Sequence, residues 1–271
     1  MDSLSNRFHS EVDRLSTLIA RSSHDHRIHP RSAGDALTLE RPQKADRPPH
    51  HRSADPRFGS PRAAHLADKD AYADWLADEL RALDGPIDLV GHDWGGHLVM
   101  RIVSAYDVPV RSWVTDVAHG WHPDYQWHEM ATLFQESPKA EQLLAAMRTR
   151  APGTPTIGDL LGPRGMSADL AAEIDAALDE DMSAAVLALY RSAWPNFHAD
   201  WGRDFDRPAA APGLALVPTG DPMARPAMDR AVAAHTGAQE VELDGVSHCW
   251  MLQDPERGAV ILNRFWTSLP A

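Results

Sequence analysis

The chain has 271 residues, 43% of them apolar, which suits one large domain or a domain carrying an inserted lid. A formal charge of −13 without a long Lys/Arg block argues against a nucleic-acid or anionic-membrane surface. A small molecule is the expected partner, and a homodimer stays open. The lone cysteine, Cys249, excludes an internal disulfide, Met1–Ala20 lacks the apolar stretch of a signal peptide, and no run is long enough to span a membrane, so a cytoplasmic location is expected.

The chain changes character near Phe58. Residues 1–57 carry ten Lys and Arg against eight Asp and Glu, hold six of the fifteen histidines, and contain only very short apolar runs. The spacing of Phe8, Val12, Leu15 and Ile19 predicts a helix over Ser5–Ala20, and the rest of this atypical segment is expected to be poorly ordered. Beyond it, Tyr72, Trp75, Leu76, Leu80 and Leu83 form one stripe of a helix over Lys69–Leu83, ended by Gly85-Pro86. Ile87–Val90 is a short buried-type strand, Gly91–Gly96 a tight turn, His97–Ala105 a helix and Arg111–Val117 the next strand. Helices are predicted over Trp127–Glu136, Ala140–Arg148, Ala168–Leu178 and Ser183–Tyr190. Strands follow over Gly213–Thr219 and Gln239–Leu243, then a helix over Pro255–Trp266. Such an order is the back half of a doubly wound, mostly parallel α/β sheet, residues 58–118 and 195–271, with a helical cap inserted at residues 119–194.

The chemistry centres on Gly91-His92-Asp93-Trp94-Gly95-Gly96, set between a strand and a helix. A G-x-Nu-x-G elbow needs its glycines for a strained turn that presents the middle side chain above the sheet. That side chain is Asp93, a carboxylate able to attack an sp3 carbon and form an ester without a base to activate it. Cleaving the ester requires activated water, for which His248, in the loop before the last helix, is the candidate. Asp221, at the end of the strand Gly213–Thr219, is the candidate acid to orient that imidazole, with Asp116 as its rival. His92 and His97 read as packing residues, His119, His122 and His128 lack the geometry expected of a metal set, and Trp113, Trp121, Trp127, Trp194 and Trp201 read mostly as core.

From Phe58 onward these motifs, with the tail His248-Cys249-Trp250-Met251-Leu252-Gln253-Asp254-Pro255-Glu256, resemble the epoxide hydrolase and haloalkane dehalogenase branch of the α/β-hydrolase superfamily. The resemblance implies an α/β-hydrolase fold and the chain order nucleophile, acid, histidine. Asp124-Tyr125-Gln126 and Leu189-Tyr190-Arg191 look like the two cap-tyrosine segments of epoxide hydrolases, which implies that Tyr125 and Tyr190 protonate the opening ring. Trp94 would supply an oxyanion N–H or, in a dehalogenase, an indole donor to the halide. Neither chemistry implies a cofactor or a metal.

The pattern also expects several strands and a His-Gly loop upstream of the elbow, yet the first strands are missing or degenerate and the only His-Gly is His119-Gly120. A shifted reading frame or wrong start across residues 1–57 would account for both. Three readings follow: an epoxide hydrolase, a haloalkane or haloacid dehalogenase using the same Asp93, and a defective, non-catalytic homologue.

Overall fold

The computed structural model describes residues 17–21, 66–83, 85–136, 138–205 and 208–270. Phe58 and most of the segment before it lie outside these residues. Among the described residues, five strands form one sheet: β1 (Thr17–Arg21), β2 (Ile87–Gly91), β3 (Val110–Thr115), β4 (Gly213–Pro218) and β5 (Gln239–Leu243), in spatial order β1-β2-β3-β4-β5. Strands β2 to β5 are parallel, whereas β1 pairs antiparallel with β2, placing Thr17 opposite Gly91 and Arg21 opposite Ile87. The helix expected over Ser5–Ala20 is therefore corrected: its described end is a strand. The edge of β2 offers unpaired N–H and C=O groups, and pairing with them outweighs a marginal helical stripe. Among the described residues, this is the only strand before the elbow strand.

Ten α-helices accompany the sheet among the described residues: α1 (Lys69–Arg81), α2 (Trp94–Ala105), α3 (Glu129–Gln135), α4 (Lys139–Arg148), α5 (Ile157–Leu161), α6 (Ala168–Ala177), α7 (Glu180–Ser192), α8 (Pro226–Thr236), α9 (Trp250–Gln253) and α10 (Pro255–Ser268). Alternation along the strands sorts the core into two layers. Leu89, Trp113 and Ala215 face one side with α1 and α2, burying Leu76, Leu80, Leu98 and Ile102. Val90, Val114, Leu214 and Leu216 face the other, against Leu262 and Phe265 of α10. Helices α3 to α7 interrupt the sheet between β3 and β4, and Phe134, Leu144, Met147, Met182 and Leu187 give them an apolar cluster of their own.

One buried charge sits in the elbow strand itself. Asp88 is 3% exposed, but Arg111 grips both its oxygens (2.9 and 2.6 Å) and the Ser112 hydroxyl donates to it (2.6 Å). Full pairing of this kind is what makes a buried carboxylate tolerable. Of the tryptophans expected in the core, Trp113, Trp121 and Trp201 are buried. Trp194 is corrected: it lies beyond the end of α7 and is 70% exposed. None of the described helices is long and apolar enough to cross a membrane.

Candidate active site

The turn joining β2 to α2 has the strained geometry that its sequence calls for. Asp93 stands at φ 48°, ψ −123°, a region that L side chains rarely enter. Two glycines close the turn. A Cβ on Gly91 would lie 2.4 Å from the Gly95 carbonyl oxygen, and one on Gly96 would lie 2.6 Å from Thr115 Oγ1. The Asp93 side chain does not cap the helix, although it stands at the N-cap position. Its half-buried carboxylate makes no hydrogen bond or ion pair with another described residue.

The loop before α9 brings His248 to the same edge of the sheet, where its Nδ1 is 2.9 Å from Asp221 Oδ2. Asp221 is fixed in turn: its Oδ1 accepts from the Met223 N–H (2.9 Å), and its loop is pressed onto the histidine loop, Gly220 N donating to Val246 O (2.9 Å). A Cβ at Gly220 would lie 2.9 Å from two carbonyl oxygens of that loop, so only glycine permits the approach. Burial lowers the basicity of His248, but the Asp221 hydrogen bond and the charges of Asp93, Asp221 and Asp116 outweigh it, leaving the imidazole above its ordinary value. Burial likewise works against the Asp221 anion, yet its bond to His248 holds that carboxyl below the usual range. Cys249, next in the chain, is a buried thiol pushed up to about 12, chiefly by burial, and its N–H donates to Arg164 O (2.9 Å), tying the histidine loop to the helical block.

Asp116, the rival acid, is not the carboxylate hydrogen-bonded to His248. It lies just past β3, is 4% exposed and accepts three hydrogen bonds: from Trp250 Nε1 (2.7 Å), from the Asp93 N–H (3.0 Å) and from His92 Nδ1 (2.5 Å). The His92 ring in turn meets the His248 ring at 4.6 Å between centroids. Sequence reasoning missed this arrangement, since nothing in the spacing of His92 and Asp116 distinguishes them from packing and turn residues.

The helical block places the two tyrosines on the same centre. Tyr125 follows the turn after β3, and Tyr190 lies on α7. Tyr125 is buried and Tyr190 partly buried, and burial followed by the Asp93 charge pushes each hydroxyl above the usual phenol range. The Trp94 indole lies beside the Tyr190 hydroxyl, and the Trp94 and Tyr190 rings meet edge-on at 5.3 Å. Trp127 packs between the two, 5.4 Å from Tyr125 and 5.5 Å from Tyr190. A cavity of about 820 Å³ is lined by Tyr125, with Met130 and Leu133 of α3 and Met223 and Met228 after Asp221 supplying apolar walls.

Other histidines are spent locally. His119 Nδ1 is 2.9 Å from Asp229, and His128 Nδ1 caps α3 by accepting from Ala131 N (3.2 Å). His97 is buried against Phe197 at 4.1 Å, and burial pulls it down to about 3. No group of three or more metal-ligating side chains occurs among the described residues.

A model of the alpha/beta hydrolase family matches residues 13–259, beginning upstream of Phe58, where the sequence motifs begin. No curated protein gives a significant match. Among solved structures, the chain is similar to a candidate epoxide hydrolase from Pseudomonas aeruginosa, 18% identical, covering 76% of this chain and 75% of that one with a TM-score of 0.61. It is similar to a loop variant of a haloalkane dehalogenase from Bradyrhizobium elkanii at 18% identity, with 74% of each chain covered and a TM-score of 0.52. A thermophilic esterase from Thermogutta terrifontis is 20% identical, with 77% of this chain and 74% of that one covered and a TM-score of 0.52. At such identities the likeness is one of fold, and the three names point to three different bonds broken.

Proposed function

This chain belongs to the alpha/beta hydrolase family, and from that premise we propose that it opens an epoxide to a vicinal diol through an ester on Asp93. The carboxylate attacks one ring carbon, the carbon–oxygen bond breaks, and the released oxygen takes a proton from Tyr125 or Tyr190. His248, oriented by Asp221, then removes a proton from water, the hydroxide adds to the ester carbonyl, and the diol leaves with Asp93 restored. The tyrosine's proton is returned from the protonated His248 by way of solvent. Trp94 is assigned to the oxyanion of that second step through its backbone N–H, as the residue following the nucleophile.

One observation carries this reading. An aspartate rather than a serine occupies the elbow, and two phenols from separate segments of the helical block, one buried and one partly buried, lie close enough to feel its charge. A carboxylate nucleophile suits substitution at carbon, and protonated phenols suit a leaving oxygen that stays attached to the product. A halide leaves as a stable anion and needs N–H donors instead, while the rings that meet Trp94 edge-on include that of Tyr190 at 5.3 Å.

The test is to incubate the protein with styrene oxide and, separately, with 1-bromobutane, then to assay diol and bromide. Diol alone is expected. Bromide alone moves the assignment to dehalogenation by the same Asp93, and silence from a folded protein makes the chain a non-catalytic homologue. Asp93→Asn is expected to abolish diol formation, and retained turnover would remove Asp93 as the nucleophile.

A further inference from the structure

Two acid–imidazole pairs face one another at this site, but the reaction above uses only one of them. Asp221 serves His248; Asp116 serves His92. The second pair is at least as well built as the first. Asp116 is 4% exposed and receives three donors from two separate parts of the chain: the Asp93 backbone and the His92 ring, both of the elbow, and the Trp250 indole of α9. A buried carboxylate so fully satisfied has its geometry fixed, and each donor is fixed with it.

We propose that Asp116 and His92 are positioning residues for the reaction at Asp93 and His248: Asp116 clamps the strained elbow through the Asp93 N–H, and His92 forms the wall that holds the His248 ring against Asp221. The proposal rests on the reading of Asp93 as nucleophile and His248 as base. It follows from where strain and freedom lie. Asp93 holds a backbone conformation that costs free energy, and among the described residues the one side chain bonded to its N–H is Asp116. His248 is bonded at Nδ1 alone among the described residues, and the His92 ring, 4.6 Å away and tilted by 53°, limits how far the imidazole can swing.

Charge supplies a readout that simple packing would not move. His248 is faced by Asp221 from the acid loop, by Asp93 and His92 from the elbow, by Asp116 from the end of β3 and by His128 from the helical block. The Asp116 anion is among the groups that raise His248. Its removal therefore lowers His248, in addition to loosening the elbow.

The experiment compares wild type with Asp116→Asn, His92→Leu and His92→Asn, whose side-chain amide can stand in for Nδ1. Two measurements are made: the pH dependence of styrene oxide turnover, and the NMR titration of the His248 ring in the free protein. In Asp116→Asn, His248 is expected to titrate at lower pH and the acid limb of kcat to move down with it. A misplacement approaching 1 Å lowers kcat by about 10²-fold, with KM within about twofold, since neither residue is assigned a substrate contact. His92→Leu is expected to lose rate in the same way, and His92→Asn to recover part of it. The two His92 variants carry the test if Asp116→Asn does not fold. An unchanged His248 titration together with an unchanged pH profile, with only a lower melting temperature, would overturn the proposal and leave Asp116 as a structural residue. Turnover of His92→Leu at the wild-type rate would overturn the role of His92. If no epoxide is turned over but the His248 titration still shifts in Asp116→Asn, the epoxide reading fails while the coupling of the two pairs stands. If neither is seen, both fall.

Discussion

Replacing Gly91 by alanine probes the elbow without touching a reactive group. The added Cβ would lie 2.4 Å from the Gly95 carbonyl oxygen, 2.5 Å from its carbon and 2.7 Å from the Gly96 Cα. All three are backbone atoms, so no rotamer relieves the overlap. Since real contacts of this kind do not fall below 3.0 Å, the turn must open by at least about 0.6 Å, at the start of the helix that follows Asp93. Overpacking of this sort costs about 1–3 kcal/mol, or a melting temperature lower by about 2–12 °C for a domain of this size. The control is Gly162→Ala: Gly162 has helical angles of φ −50° and ψ −55° with nothing within 4 Å of the added carbon. That change is expected to be neutral or to stabilise by up to about 1 kcal/mol. Calorimetry on the two variants and wild type reads the difference directly, and diol assays read the displaced nucleophile as a loss of about 10²-fold in turnover. If Gly91→Ala melts with the control and keeps its rate, the tight closure of the elbow is not what holds Asp93 in place.

Three further outcomes follow from the site. His248→Gln should still be alkylated but not hydrolysed, so intact-protein mass spectrometry after exposure to styrene oxide should show one added substrate mass; no added mass would argue against an ester on Asp93. Tyr125→Phe together with Tyr190→Phe should slow ring opening by about 10²–10⁴-fold, each alone by less, because one phenol remains; single-turnover rates that match wild type would dismiss both as acids. His97 is held near 3 in the folded protein, chiefly by burial, and returns to about 6.5 on unfolding. The unfolded chain therefore binds the extra proton first, and stability is lost as the pH falls from about 6.5 towards 3. Between pH 6.5 and 5 this amounts to about 2 kcal/mol, which His97→Phe should abolish in urea unfolding; equal slopes for the two proteins would refute it.

Much of the sheet and its core-facing helices was legible because their signals are local. The short buried-type run Ile87–Val90, the glycines around Asp93 and the stripe along Lys69–Leu83 each carry their structure in a few neighbouring residues. Helix α8 was implied by the strand–helix–strand order but not bounded: Pro226–Thr236 is rich in alanine and buries only Asp229, Val232, Ala233 and Thr236, so its periodicity is faint. Helices α5 and α9 span only five and four residues, too few for a period to show. The strand at Thr17–Arg21 is decided by a partner some seventy residues away, which no local window contains. The same holds within the site. Asp93, Asp221 and His248 announced themselves by their places at strand ends, and the structure gives Nδ1 of His248 to Asp221. The partnership of His92, Asp116 and Trp250 depends on three segments meeting in space, as does the bond between His119 and Asp229.

A single negative charge, that of Asp93, bears on Tyr125, Tyr190 and His248 at once. Esterification on the proposed route erases it. At that moment the phenols become readier to part with their protons, just as an alkoxide needs one, and the imidazole becomes readier to stand neutral, just as water needs a base. The first covalent event thus sets the protonation required by the second, and the site keeps its own time with no moving part.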